Sequence, residues 1–274
     1  MRPYKKYWQI VFFVTIVAAL ACVVLIKKDH SGSHLSGSVH GHEWVDMGLS
    51  VKWATMNVGA TSPEEFGDYF SWGETSPKNG AYNWENYEHR MTGDSFNNVT
   101  FKKYVINVQG GDNKKRLEYS DDAARVNWGK GWRIPTSDEF RDLINNCVEE
   151  WVMINGIYGF QLTSRATGNS IFLPASGICG NPKNQQNKES YVREVGQKGY
   201  YWSSDLYSSI GGYGQYASCV EIDSAAVISM PSERMVIRDG KIVSEQYTSI
   251  SKYKQIGTSY YGRYYGLSIR PVIE

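Results

Sequence analysis

Cysteine is scarce in this chain. Cys22, Cys147, Cys179 and Cys219 are the only four, and no two stand at the CxxC spacing of a zinc or dithiol site. Histidine is equally sparse outside one short tract: beyond residue 42 only His89 remains. A Ser-His or Cys-His nucleophile therefore has a single candidate base and no recognisable orienting partner. The sequence has no GxxxxGK phosphate loop, no HExxH and no GxSxG. It also has no basic excess, for the formal net charge is +1 over 274 residues. Without the five basic residues that flank its first apolar run (Arg2, Lys5, Lys6, Lys27, Lys28), 24 basic face 28 acidic residues. A nucleic-acid binder needs a basic face for phosphate contacts, and that class is excluded. The acidic pairs Glu64-Glu65, Asp121-Asp122 and Glu149-Glu150 read as solvated or helix-capping groups rather than as a glycosidase pair.

Long apolar runs are absent except for one. Trp8 to Ile26, WQIVFFVTIVAALACVVLI, carries no charge and is long enough to span a bilayer as a helix. The expected organisation is a cytoplasmic N-terminus over residues 1–7, a transmembrane anchor or signal segment over 8–26, a linker over 27–42 and a folded domain over 43–274. The flanking lysines and arginine put the N-terminus inside and the bulk of the chain outside. Two alternatives share these features. A cleaved signal peptide has the same basic start and apolar run, and Ala19-Leu20-Ala21-Cys22 resembles a lipobox that would make Cys22 the lipidated residue. Residues 27–42, rich in Ser and Gly, read as a flexible tether. Their four histidines, His30, His34, His40 and His42, are of a metal-ligating type. A flexible tether does not preorganise such a site, so no metal or cofactor is assigned.

From Glu43 onward the composition turns dense in Trp, Tyr and Gly. The segments Val51–Thr55, Asp68–Trp72, Gly159–Thr163, Ser170–Leu173, Tyr200–Ser203, Ala217–Ile222 and Leu267–Val272 are short, aromatic or β-branched, and bounded by turn residues, which predicts strands. Asp112–Glu118 and Asn181–Glu194 read as surface loops. In WRIPTSDEF, Pro135 keeps the chain extended, and Thr136 with Glu139 forms a capping box that starts a helix. Phe140, Leu143, Ile144 and Cys147 then recur at helical spacing. A second, shorter helix is expected over Asp121–Asn127 with Ser120 as its cap. The fold class is α+β, with short antiparallel strands, two helices and long loops. Arg133 and Arg270 are each expected to be held by a buried carboxylate. An exported domain permits a disulfide, for which Cys179 and Cys219 are the candidates; buried thiols are the alternative.

The phrases EWVDMGLSVKWATMNVGATSPEEFGDYFSWGET (43–75), DDAARVNWGKGWRIPTSDEFRDL (121–143), NSIFLPASG (169–177), GYYWSSD (199–205) and YYGLSIRPV (264–272) resemble the Fibrobacter succinogenes major paralogous domain. The resemblance covers nearly all of 43–272. It implies a surface or envelope protein of the kind found in Bacteroidetes and Fibrobacteres, with a C-type-lectin-like fold. The same segments are distantly similar to the formylglycine-generating, sulfatase-modifying enzymes, which implies an oxidase as the rival. Those enzymes bind copper through two cysteines shortly before the closing Gly-Phe-Arg phrase, and the corresponding stretch before Gly266 holds none. The calcium-binding phrases of true C-type lectins are also missing.

Binding is the class that remains. The chain has 20 tyrosines and 9 tryptophans, side chains that stack on sugars and anchor protein interfaces. Trp53, Trp72, Trp128, Trp132 and Trp202 sit among apolar residues and Gly and read as core. Tyr82, Trp84 and Tyr87 in AYNWENYE, with Tyr207, Tyr213 and Tyr216 in YSSIGGYGQY, lie in expected loops and are the candidate ligand contacts. Arg133, Thr136, Glu139, Trp202 and Arg270 are expected to be structural. The sequence thus predicts a membrane-anchored, extracytoplasmic, non-enzymatic module that recognises a glycan or an envelope protein. A subunit of a surface appendage is the further alternative.

Overall fold

The computed structural model describes residues 35–180, 191–208, 212–224, 227–238, 241–252 and 256–274. The expected N-terminus (1–7), the apolar run (8–26) with Cys22, and 27–34 of the linker lie outside these residues, as does most of the expected 181–194 loop. Among the described residues no helix is long and apolar enough to cross a membrane.

The expected tether is structured from Ser36. β1 (Ser36–Val39) and β2 (His42–Val45) form a hairpin whose turn residues His40 and Gly41 both have positive φ, the geometry that matches strand twist. The folded body therefore starts seven residues before the expected boundary at Glu43. His42 is fixed by stacking on Trp128, with ring centroids 3.9 Å apart.

β3 (Lys52–Ala54) follows, then the pair β4 (Arg90–Thr92) and β5 (Thr100–Phe101). A 3-10 turn at Tyr119–Asp121 leads into α1 (Ala123–Trp128). This helix is shorter than expected and its cap is Asp122, not Ser120. The Asp122 carboxylate accepts from the Arg125 amide at 3.1 Å and from the Ile134 amide at 2.9 Å, so it ties the helix start to the next strand; the Ser120 hydroxyl donates to Asp121 instead.

β6 (Trp132–Arg133) ends two residues before Pro135, and α2 (Ser137–Asn146) begins as the sequence predicts. Both halves of the capping box are made: the Glu139 amide donates to Thr136 Oγ1 at 3.2 Å and the Thr136 amide to Glu139 Oε2 at 2.8 Å. Phe140, Leu143 and Ile144 are buried, and so is Cys147, which is already the first residue of a strand. β7 (Cys147–Ile154), β8 (Ile157–Ser164) and β9 (Ser170–Pro174) make one antiparallel sheet. The β7–β8 turn is Asn155-Gly156, both at positive φ, an Asn-Gly pair that favours a two-residue hairpin.

β10 (Ile178–Cys179) pairs β11 (Val192–Arg193). β12 (Lys198–Leu206) and β13 (Tyr216–Asp223) pair with each other. A hairpin of two twelve-residue strands follows, β14 (Val227–Arg238) with β15 (Lys241–Lys252). β16 (Ile256–Gly262) then returns along β13, and β17 (Val272–Ile273) closes the chain between β3 and β6 in a five-stranded sheet ordered β1-β2-β3-β17-β6. The result is an α+β chain, rich in small antiparallel sheets, with two α-helices among the described residues.

Two of the expected strands do not form ladders. Asp68–Trp72 makes one isolated antiparallel bridge, Phe70 and Leu267 exchanging both backbone hydrogen bonds at 3.0 and 3.1 Å, while the Asp68 amide donates to Val58 and the Trp72 amide to Arg263. Within Leu267–Val272 only Val272 belongs to a strand.

β12 divides the interior because side chains alternate across a strand. Tyr200 and Trp202 enter one apolar cluster, with Trp72, Trp84, Trp128 and Trp132. Tyr201 enters the other, with Trp53, the α2 stripe and residues of β8 and β9. The five tryptophans expected in the core are all buried.

Cys179 and Cys219 are not bridged; with Cys147 they are buried thiols. Cys219 sits in β13 between Trp202 and Ser259, whereas Cys179 faces Val192 in β10 and bridges Gly266, so different partners hold the two strands apart.

Candidate recognition site

The expected structural residues come first, because they show what is already occupied. Arg133 meets Glu139 through two hydrogen bonds, 2.8 and 2.6 Å, and reaches Glu274 at 3.2 Å. Burial alone raises a carboxyl, but the Arg133 guanidinium and the cap hydrogen bonds outweigh it and hold Glu139 below the usual range. Arg270 corrects the expectation of a carboxylate partner. It is fully buried and donates to Asn57 Oδ1 at 2.9 Å and to the carbonyls of Ala54, Thr55 and Phe172. Burial without an anion pushes its pKa down to about 10, so it stays charged at neutral pH and ties two separated stretches, 54–57 and Phe172, to its own. Trp202 donates its indole N–H to the Phe70 carbonyl at 2.7 Å.

A second buried arginine, Arg263, escaped the sequence reading. Its guanidinium donates to Tyr87 Oη at 2.9 Å and to the carbonyls of Gly214, Lys103 and Tyr104 at 3.0, 3.2 and 3.4 Å. The rings of Phe101, Trp72, Tyr87 and Tyr104 surround it with centroids 4.3 to 5.6 Å away, a cation–π box built from distant parts of the chain. The only signal for it was one arginine in the tyrosine-rich phrase YYGRYY.

That box corrects two candidate ligand contacts. Trp84 and Tyr87 are 1% and 2% exposed. Trp84 packs against Tyr87, Phe96, Phe101 and Tyr264, and the Tyr87 hydroxyl, besides accepting from Arg263, donates to the Trp72 carbonyl at 2.6 Å. Both are core, covered because the loop 76–89 folds over its own aromatic base. Tyr82 is also buried.

The second group stays at the surface but in two places. Tyr207 stacks on Tyr260 at 4.0 Å, Tyr216 meets Tyr260 edge-on at 5.4 Å and stacks on Phe96 at 5.2 Å. These half-buried rings brace one another. Tyr213 is 49% exposed and stands on the rim of a hollow of about 550 Å³, lined also by Met91, Phe101, Val105, Val108 and Asp112.

The hollow has a rigid floor. Phe101 belongs both to its lining and to the Arg263 box. Its loop is pinned by Asp112, whose carboxylate accepts the amides of Tyr104 at 2.9 Å and Val105 at 2.7 Å. Burial works against the charge, but these hydrogen bonds outweigh it and keep the Asp112 pKa low. The Tyr213 segment is held down by Gly214, whose carbonyl takes the Arg263 bond, and by the Gly212 carbonyl accepting from Asn107 at 2.9 Å. Gly214 has φ +102°, and a Cβ there would stand 2.5 Å from the Tyr104 carbonyl oxygen, so the close approach needs glycine. The rim is apolar: Met91 is 59% and Val108 38% exposed. Of the six candidate ligand residues the structure brings Tyr213 alone to this site, and Met91, Val105 and Val108 are lining residues the sequence reading missed. The Val105-Ile106-Asn107-Val108 run shortly before Gly110-Gly111 was the available signal.

No group of three His, Cys, Asp or Glu side chains suited to a metal occurs among the described residues. His89 hydrogen-bonds the Gly73 carbonyl at 2.8 Å, and burial lowers its pKa. Comparison with family models, with curated proteins and with solved structures finds no match to this chain.

Proposed function

We propose that this chain is an extracytoplasmic, membrane-anchored, non-enzymatic recognition or surface-assembly module, and that its recognition face is the hollow beneath Tyr213. One observation carries this reading: a preformed concavity with exposed apolar groups on its rim and a floor locked by the Arg263 box. A volume near 550 Å³ falls in the range of small-molecule and side-chain pockets, and an exposed tyrosine beside aliphatic groups is typical of interface anchors. The exposed aliphatic rim, Met91 and Val108, favours a protein segment, while Thr100, Lys102, Gln109 and Asp112 in the same lining supply its hydrogen-bonding groups. The resemblance to the Fibrobacter succinogenes major paralogous domain supports an envelope location and a C-type-lectin-like arrangement. The Trp8–Ile26 run supports an anchor. The oxidase alternative gains no support: Cys179 and Cys219 lie in separate sheets, and burial raises the Cys219 thiol well above its usual range, which opposes thiolate chemistry.

The test is a photo-crosslinking residue placed at Val108 of the full-length chain in cells. The expected result is one dominant protein adduct in the envelope fraction, lost when Tyr213→Asp is added. Absence of any adduct, or adducts indifferent to Tyr213, overturns the assignment of this face.

A further inference from the structure

We propose that the free edge of β7 is a second interaction surface, and that it takes an extended protein segment carrying two adjacent basic residues as a fourth strand of its sheet. This surface shares no residue with the Tyr213 hollow. The sheet is ordered β7-β8-β9, so β7 is an edge, and its register fixes which backbone groups are already used. The Asn155-Gly156 turn makes Ile154↔Ile157 the bonded pair nearest the turn. Bonded positions then recur at every second residue, at Val152, Glu150 and Val148. The same parity holds across β8: Tyr158 and Ser164 bond toward β9, through the Ala175 amide and the Asn169 carbonyl, and Pro174, which has no amide, lies opposite Gly159. The amides and carbonyls of Glu149, Trp151 and Met153 therefore face away from β8, and among the described residues none has a backbone partner.

The opposite edge of the same sheet is closed. There the outward carbonyl of Phe172 accepts from Arg270 Nη2 at 2.8 Å, and that of Pro174 accepts from the Tyr201 hydroxyl. β7 has no such cover, and it lacks the devices that blunt an edge: it holds no proline and no lysine, and its register with β8 has no bulge. Both of its ends are fixed. Cys147 is buried in the cluster with Phe140 and Leu143 of α2, and the Asn155 side chain donates to Glu64 Oε1 at 2.7 Å. Val148, Met153 and Tyr158 are exposed, and Trp151 stacks on Tyr158. A strand added along this edge pairs with the free backbone groups and covers these side chains in one step.

Charge names the occupant. Glu149 and Glu150 stand in the middle of β7, and among the described residues neither is in an ion pair. Consecutive strand residues face opposite ways, so Glu149 lies on the inner face with its partner Leu162, which is buried, and Glu150 on the outer face with Gln161. Two neighbouring residues of an added strand also face opposite ways. An adjacent basic pair therefore opposes both carboxylates at once, one on each face, and each opposite-charge pair is stabilising. A second copy of β7 fits worse. Antiparallel pairing centred on the glutamates sets Glu149 against Glu150 twice, parallel pairing in register sets each beside its copy, and larger slips set them against apolar residues. Like charges directly opposite are destabilising, so the glutamates hold off self-pairing and select a basic strand.

The experiment is fluorescence anisotropy of a short labelled peptide, alternating Thr and Val around a central Lys-Lys pair, titrated with the full-length chain in detergent micelles. Binding should saturate and be at least about tenfold tighter than for the same peptide with a central Glu-Glu pair. The double variant Glu149→Lys with Glu150→Lys should reverse that preference. Met153→Pro removes an outward amide and leaves the bonds to β8 in place, a position where an edge strand tolerates proline. It should lose the peptide while melting close to wild type. A folded wild type that ignores the Lys-Lys peptide, a preference unchanged by the charge reversal, or full binding by Met153→Pro would each overturn the proposal. Self-association of wild type that Met153→Pro abolishes would also overturn it, by giving the edge to a second copy. The Val108 crosslink reads the hollow alone, so the two surfaces are judged separately.

Discussion

Arg133 and Glu139 are joined by two hydrogen bonds, and the same Glu139 carboxylate accepts the Thr136 amide. One side chain thus closes the capping box of α2 and anchors the strand that precedes it. Thr136→Ala is expected to lower stability by about 1 kcal/mol through the lost cap. Glu139→Ala removes a charged hydrogen bond as well and should cost about 2–3 kcal/mol. In chemical denaturation the two changes combined should fall short of their sum, because they share the cap. Strict additivity would contradict a shared unit.

The same carboxylate sets an acid response. Glu139 and Asp121 both have folded pKa values held low, Asp121 through Tyr104 and Lys103 against the opposing effect of its burial. A depressed carboxyl contributes stability that is present above its unfolded value, about 4, and is lost as pH falls through the folded value. Asp122, pushed up by burial, acts in the opposite sense. The melting temperature should therefore be flat from pH 7 to about 5 and fall below about 4, and Glu139→Gln should blunt that fall. A profile unaltered by the substitution would remove Glu139 from the account.

Arg263 is the joint between core and hollow. Arg263→Met strips three carbonyls and the Tyr87 hydroxyl of their donor, and the expected cost is about 2–4 kcal/mol. Tyr87→Phe should cost about 1 kcal/mol. Calorimetry on both variants tests the order, and a smaller loss for Arg263→Met than for Tyr87→Phe would refute the box as a structural centre.

Gly214→Ala places a methyl group against the Tyr104 carbonyl and forces a left-handed φ on alanine. The strain should be about 1–3 kcal/mol. Because Tyr213 is the neighbouring residue, the Val108 crosslink should weaken together with stability, and an intact crosslink would separate Gly214 from the shape of the hollow.

The three thiols of the folded body are buried and two are hard to ionise, Cys147 being pushed up to about 11 and Cys219 higher still by burial. Alkylation followed by peptide mapping should label Cys147, Cys179 and Cys219 only after unfolding, each as a separate thiol. A Cys179–Cys219 linked peptide from the unreduced protein would reverse the correction made above.

What the sequence determined by itself is local. The capping box spans four residues, the α2 stripe recurs within two turns, and short aromatic runs bounded by turn residues mark β8, β9, β12 and β13; these depend on neighbours in the chain. The Asn155-Gly156 turn was equally local, and it marks β7, which the strand reading passed over. What only the tertiary structure decided depends on residues far apart. Tyr87 reads as a loop aromatic until Arg263, more than 170 positions away, is seen to hold its hydroxyl, and Trp84 until Phe96, Phe101 and Tyr264 close over it. Arg270 donates to carbonyls rather than to a carboxylate because two separated segments, Ala54-Thr55 and Phe172, converge on it. Of the tyrosine-rich phrase before β13, Tyr207 and Tyr216 lean on Tyr260 while Tyr213 is left on the rim. For these loop residues burial is set by the whole packing of the chain, which local spacing, enough for the α2 stripe, does not record.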